Sequence, residues 1–367
     1  MNPAPHDDDA IDAALGEQYY MNDKDAEQRF AEEMTEIIRR FVGRRFDEGR
    51  RPALRDAHAQ DTGCVRATFQ VDSNIPPELR HGVFATPGSE FKAWIRFSNG
   101  NSEVLSSRLP DARGMAIKLM GVDGPKLLDD ERETQDFVMA NNPSFFVDDL
   151  LRYKNSLVKF HSGGYLRQFL AIPELKLREI VRAIRVNGTW ITNPLFSQYW
   201  SMTAYRLGVG AERIAIKFSA KPRIEKSPSV GARLATLLDP HLSLKKNMQD
   251  VLSSREMRFD FLIQRHMDHR TPVEDTLTEW EESVSPPIHM ATIIVPVQDL
   301  SSASRGLLCE NLSFNPWHCL PEHRPLGAVN RVRKTIYREM SKYRHDLNHA
   351  PLLEPTPDEV TSPENWP

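Results

Sequence analysis

The sequence predicts an α+β domain built on an antiparallel β-barrel or strongly curved sheet. Three observations predict it. The N-terminal "DAEQRFAEEMTEIIRRFVGRRFDEG" carries apolar residues at helical spacing. The pattern then changes to partial alternation in short runs separated by turn residues. It becomes helical again near the end, in "NRVRKTIYREMSKYRHD".

The first helix places Phe30, Met34, Ile37, Ile38 and Phe41 on one face. Four strand candidates follow: "CVRATFQV", "FKAWIRFS", "RGMAIKLMG" and "TQDFVMAN". Pro, Gly, Asn and Asp punctuate them. A helical stretch from about Leu150 to Val186 comes next. Strands return at "RIAIKFSA", "MRFDFLIQRH" and "HMATIIVPV", with helical "GARLATLLDPHLSLKKNMQDVLSS" between the first two. Closing such strands into a barrel removes exposed edges and is expected to enclose a cavity. No linker interrupts the pattern, so residues 21–350 are expected to form one domain. Residues 1–20 and the Pro-rich, acidic 351–367 are expected to be disordered.

Bulk properties exclude some functions. The 367 residues carry 47 basic and 51 acidic side chains, a net charge of −4, which argues against a general nucleic-acid binder. No apolar run approaches the roughly 20 residues of a membrane span. The acidic start lacks a signal-peptide layout, so a cytoplasmic protein is expected. Cys64, Cys309 and Cys319 are too few for a disulfide framework. Cys309, Cys319, His318 and His323 cluster in sequence without a zinc-ligand spacing, so buried thiols are the expected reading. "NPLFSQYWSMTAYRLG" either packs the core or lines a channel, and packing is favoured.

The last helix raises the chemical question. Arg333 and Tyr337 stand four residues apart, hence on one face, and Arg344 follows seven residues later. A phenol titrates near pH 10. A guanidinium within reach favours its anion, the form a ferric ion binds. RxxxY alone is a common pattern that an ordinary helix face explains. It gains weight from "RDAHAQDTGCVRATFQV", with Arg55 three residues before His58, and "AWIRFSNGN", with Arg96 and Ser98. "QDFVMANNPSFFVDDLLRY" adds a Pro-Phe-Phe segment.

Taken together and in this order, these segments resemble the haem-dependent catalase superfamily, in particular its shorter catalase-like proteins. The resemblance runs from about Arg55 to Tyr153. It fades in the middle and returns at "CENLSFNPWHCLPEHRPLGAVNRVRKTIY". It implies a catalase-like β-barrel with peripheral helices and a C-terminal proximal helix. It also implies haem b, with Tyr337 as iron ligand and Arg333 as its charge partner. His58 would be the distal acid and base, with Ser98 fixing its tautomer. Arg55, Arg96 and Arg344 would bind the propionates. Phe145 and Phe146 would flank the distal pocket, and Tyr153 would stack on the haem.

The sequence departs from the family in three places, one of them a segment after His58 that is one residue longer before its strand than in full-size catalases. The distal amide is expected three residues before Pro143, where Ala140 stands, so Asn141 is taken instead. After Tyr337 the family's Pro-Asp-Thr-His is replaced by Arg-Glu-Met-Ser. The implied activity is peroxide breakdown of catalase or peroxidase type, on hydrogen peroxide or an organic hydroperoxide. The alternatives are a fatty-acid hydroperoxide isomerase or dehydratase, or a non-catalytic haem-binding module. The sequence identifies no electron donor and leaves homo-oligomerisation open.

Overall fold

The computed structural model describes residues 10–102, 104, 106–107, 109–161, 176–224, 236, 238–239 and 242–360. Its centre is an eight-stranded antiparallel barrel, as the alternating runs predict. The strands are β1 (Asp61–Val71), β2 (Glu90–Asn99), β3 (Arg113–Met120), β4 (Thr134–Ala140), β5 (Tyr199–Trp200), β7 (Ile214–Pro222), β8 (Met257–Arg265) and β9 (Ile288–Val295). Around the barrel they run β4-β3-β2-β1-β9-β8-β7. The two-residue β5 closes the ring by pairing with β4 through Ala140↔Trp200 and with β7 through Trp200↔Ser219. A ninth strand, β6 (Tyr205–Leu207), extends β7 outside the ring.

Alternation decides what the barrel holds. Val65, Ala67 and Phe69 of β1, Ile95 and Phe97 of β2 and Ile117 of β3 are buried in one cluster with Phe137, Phe218 and Phe261. Phe261 meets Phe137 at 4.9 Å, Phe69 at 5.1 Å and Phe218 at 5.6 Å between ring centroids. The interior is therefore packed with side chains. The cavity expected inside the barrel lies elsewhere.

Six α-helices surround the barrel among the described residues: α1 (Lys24–Asp47), α2 (Leu150–His161), α3 (Leu177–Asn187), α4 (Leu244–Leu252), α5 (Ala303–Asn311) and α6 (Ala328–Asn348). Asp23 caps α1 by accepting from Asp25 N and Ala26 N, and Arg44 and Arg45 complement its C-terminal dipole. Its apolar face, with Phe30, Met34, Ile38 and Val42, packs on Val332, Ile336 and Met340 of α6. No described helix is long and apolar enough to cross a membrane.

Both ends of the chain correct the expectation of disorder where they are described. Glu17 is buried and accepts from Gly327 N, Arg324 Nη1 and Arg331 Nη1, which fastens the N-terminal segment to the start of α6. Glu354 accepts from Arg132 N and Glu133 N. In each case a buried or paired carboxylate supplies what composition does not reveal. Residues 1–9 and 361–367 lie outside the described part. Cys64 and Cys309 are buried beside Trp94, and Cys319 beside Trp317. Pro194, Leu195, Tyr199, Ala204 and Tyr205 are core residues, while Met202 and Thr203 of the same stretch face the cavity.

Candidate active site

A cavity of about 360 Å³ lies against the outer face of β2, β3 and β4, covered by α1, α2 and α6. Outward positions of the strands form its floor: Arg96 and Ser98, Gly114 and Ala116, Val138 and Ala140.

His58 enters from the loop before β1. Its φ of +57° is left-handed, a conformation a non-glycine residue keeps only when its surroundings impose it. The surroundings here are explicit. His58 N donates to Gly100 O at 3.1 Å, Ala59 N donates to Asn101 O at 3.2 Å, and Arg96 Nη2 donates to His58 O at 2.9 Å. The imidazole Nδ1 is thereby placed 3.0 Å from Ser98 Oγ.

Gly114 faces Ser98 across the β2–β3 ladder. A Cβ there would lie 2.6 Å from His58 Nδ1 and 2.7 Å from Ser98 Oγ. Only glycine lets the ring approach the strands this closely. Burial, then the positive charges of Arg96, Arg333 and Arg55, push the His58 pKa down to about 4. The side chain is half-buried with its open part on the cavity, and the lowered pKa leaves the imidazole neutral at pH 7.

α6 supplies another wall. Arg333 Nη2 donates to Tyr337 Oη at 3.1 Å, and its guanidinium carbon lies 4.9 Å from the phenol ring centre. Arg333 Nη1 donates to Asn330 Oδ1 at 2.9 Å, and Asn330 Oδ1 also accepts from Thr203 Oγ1 at 3.1 Å. The cation is thus fixed from two sides.

Arg55, Arg96 and Arg344 all reach the cavity. Arg55 Nη1 and Arg344 Nη1 share Glu310 Oε1, at 3.0 and 2.9 Å. Arg55 Nη2 and Arg344 Nη1 also take carbonyls at the end of α5, at Leu312 O and Glu310 O. These cations complement that helix's C-terminal dipole. Arg96 Nε is buried with no hydrogen-bond partner. Two guanidiniums therefore share one carboxylate, and that of Arg96 is a third at the same cavity. Burial and the like charge of Arg55 bring the Arg344 pKa down to about 9 against the pull of Glu310.

Phe145, Phe146 and Tyr153 form an aromatic group on the α2 side, with ring centroids 4.7, 5.7 and 5.9 Å apart. Phe145 N donates to Thr276 O, and Thr276 Oγ1 donates to Val147 O, which holds this segment in place.

Ten of the eleven residues singled out in the sequence thus line one cavity. The eleventh, Asn141, does not. Its Oδ1 accepts from Arg113 N at 2.7 Å, so the amide serves the backbone at the start of β3 instead of the cavity wall. Sequence reasoning missed Gly114, Thr203, Asn330 and Glu310. Their roles depend on partners far away in the chain, and only the strand register around "RGMAIKLMG" offered a signal for Gly114.

No protein-family model and no curated protein matches this chain. Solved structures do. Catalase A from Saccharomyces cerevisiae superposes with a TM-score of 0.64 at 16% identity, over 84% of this chain and 64% of that one. A fungal catalase gives 0.59 at 15% identity over 87% and 63%. A bacterial catalase gives 0.65 at 14% identity over 85% and 62%. The chain has a catalase-like fold and spans somewhat under two thirds of the length of these proteins.

Proposed function

We propose that the chain is a haem-dependent enzyme that breaks down peroxides, with hydrogen peroxide or an organic hydroperoxide as substrate. One observation carries this reading. A neutral imidazole bonded to a serine and a phenol bonded to a guanidinium line the same cavity, whose floor and walls are otherwise largely apolar.

The residues fit haem b. Arg55 and Arg344 share one carboxylate, Glu310, and Arg96 adds a third guanidinium, a cationic patch that complements a porphyrin's propionates. Arg96 Nε awaits an acceptor. Arg55, Arg96 and Arg344 would hold the propionates, Tyr337 would hold the iron, and the Phe145–Phe146–Tyr153 group would cover part of the macrocycle. When bound, haem supplies a ferric centre for peroxide redox chemistry.

The chain's own part is proton handling. Ser98 Oγ accepts from His58 Nδ1–H and leaves Nε2 bare. That nitrogen takes a proton from an incoming peroxide and returns it to the departing oxygen. The low pKa of His58 keeps it available as a base down to mildly acidic pH. Arg333 holds the Tyr337 oxygen in place through its hydrogen bond. With Asn141 bonded to the backbone, peroxide orientation falls to His58 and to the narrowness of the cavity.

Reconstitution with hemin tests the proposal. The expected product has a high-spin ferric spectrum with a phenolate charge-transfer band. That band is lost in Tyr337→Phe. Oxygen release from hydrogen peroxide would mark a catalase, and dye oxidation by cumene hydroperoxide a peroxidase. His58→Ala should retain haem and lose about 10²–10⁴-fold in turnover. Failure of the wild-type protein to bind hemin would overturn the reading.

A further inference from the structure

One helix is packed with its polar side inward. In α3, Glu179 is completely buried and accepts from Arg152 Nε at 3.0 Å and from Lys176 N at 2.7 Å. Leu177, Val181 and Ile184 point the other way, 76%, 57% and 60% exposed. Steps of four and three residues put them on a single ridge. Trp190, three residues past the helix, is 59% exposed. Contiguous exposed apolar side chains mark an interaction surface, because a face open to water gains nothing from them.

The charges beside the ridge narrow the choice of partner. Lys176, Arg178 and Arg185 are exposed and cationic. The helix's one acid is neutralised from within by Arg152. Glu279 lies 3.6 Å from Arg182 and 3.7 Å from Arg185 and offsets part of that charge. A second copy of the chain would set these cations against each other across a two-fold contact. An anionic lipid surface complements them.

We propose that the α3 ridge docks this protein onto an anionic phospholipid surface. Leu177, Val181 and Ile184 enter the boundary between headgroups and acyl chains, Trp190 sits at headgroup level, and Arg178 and Arg185 meet lipid phosphates. Arg152, the partner of Glu179, belongs to α2, whose Leu150 and Tyr153 line the cavity. Docking therefore brings that wall of the cavity close to the lipid.

The test is co-flotation of the full chain with phosphatidylcholine vesicles, with and without phosphatidylglycerol. It needs no haem, so its result is independent of the proposed activity. The wild-type protein is expected to float with the anionic vesicles and to be released by salt. Arg178→Gln with Arg185→Gln should weaken partitioning about thirty-fold. Val181→Glu with Ile184→Glu should abolish it. Urea midpoints should stay unchanged in both double variants, because the substituted side chains are exposed. Equal binding to neutral vesicles, no binding, or full binding by the glutamate variant would overturn the proposal. A dimer that the glutamate variant dissolves, without vesicle capture, would instead make the ridge a contact between copies.

Discussion

Two ionic clusters sit on opposite terms with the fold. At the cavity Arg55 and Arg344 share the carboxylate of Glu310, while Arg96 has no carboxylate partner among the described residues and its Nε lacks a hydrogen bond. The other is closed. Lys118 Nζ pairs with Glu131 and with Asp136 Oδ1, while His318 Nδ1 lies 3.0 Å from Asp136 Oδ2 and Nε2 3.2 Å from Asp130 Oδ2. Lys118, Glu131, Asp136 and His318 are all buried. Glu131, Asp136 and His318 could by donor type hold a metal ion, but the Lys118 ammonium already supplies a cation to both carboxylates. The difference teaches how to read buried charge. A closed cluster reads as architecture, and one with an unsatisfied cation that opens on a cavity is a candidate for binding an anion.

The comparison breaks if the closed cluster proves dispensable. Lys118→Met leaves two buried carboxylates with only His318 to pair them, so a loss of about 3–5 kcal/mol in urea unfolding is expected. A milder loss would make that cluster no more structural than the cavity's.

The next largest effect is pH dependence, where the two histidines oppose each other. His58 has its pKa lowered, so its contribution is complete above the unfolded value of 6.5 and is lost as pH falls through about 4. The loss is at most about 3 kcal/mol. Burial opposes the charge on His318, but Glu131, Asp130 and Asp136 outweigh it and raise its pKa well above 6.5. That contribution is complete below 6.5 and is lost only as pH rises through the folded value. Urea unfolding between pH 8 and pH 4 should show an acid slope that His58→Gln reduces without removing, because burial also pushes the His323 pKa down to about 3, and that His318→Gln leaves in place.

Arg344→Met sharpens the contrast further. It removes a cation from an over-cationic site and leaves Glu310 paired with Arg55. The stability cost should be about 1 kcal/mol or less. Hemin affinity should fall about 10–100-fold in a spectroscopic titration. Gly114→Ala is expected to leave Glu310 and its cations intact and to cost about 1–2 kcal/mol by crowding His58 and Ser98. Its marker is a shifted pH profile of turnover, since the Ser98 contact is the first to give.

Much of this was legible in the sequence. All seven strand runs became barrel strands, because period-2 alternation reports a packed interior directly. The two-residue β5 was not legible, since two residues carry no period, yet it closes the ring. The location of the cavity was misjudged for a related reason. Arg96, Ser98, Gly114 and Ala116 occupy outward positions of their strands, and nothing local in the sequence says that three helices cover that face. His58, Ser98, Arg333 and Tyr337 could be found because each pairs with something near in sequence or within a familiar order of motifs. Glu310 and the Lys118–His318 cluster could not. Their partners stand up to about two hundred residues away or more, and only the folded chain introduces them.

The clasp between Glu17 and α6 has a consequence for biogenesis. More than three hundred residues separate Glu17 from Arg331, so translation delivers the two halves of this contact far apart in time. The phenol on α6 reaches its final position only after the ribosome has produced the helix and the waiting leader has closed over its base. Under the haem reading proposed above, capture would be a late event, and a nascent chain arrested before Arg331 should stay colourless however well its barrel has formed.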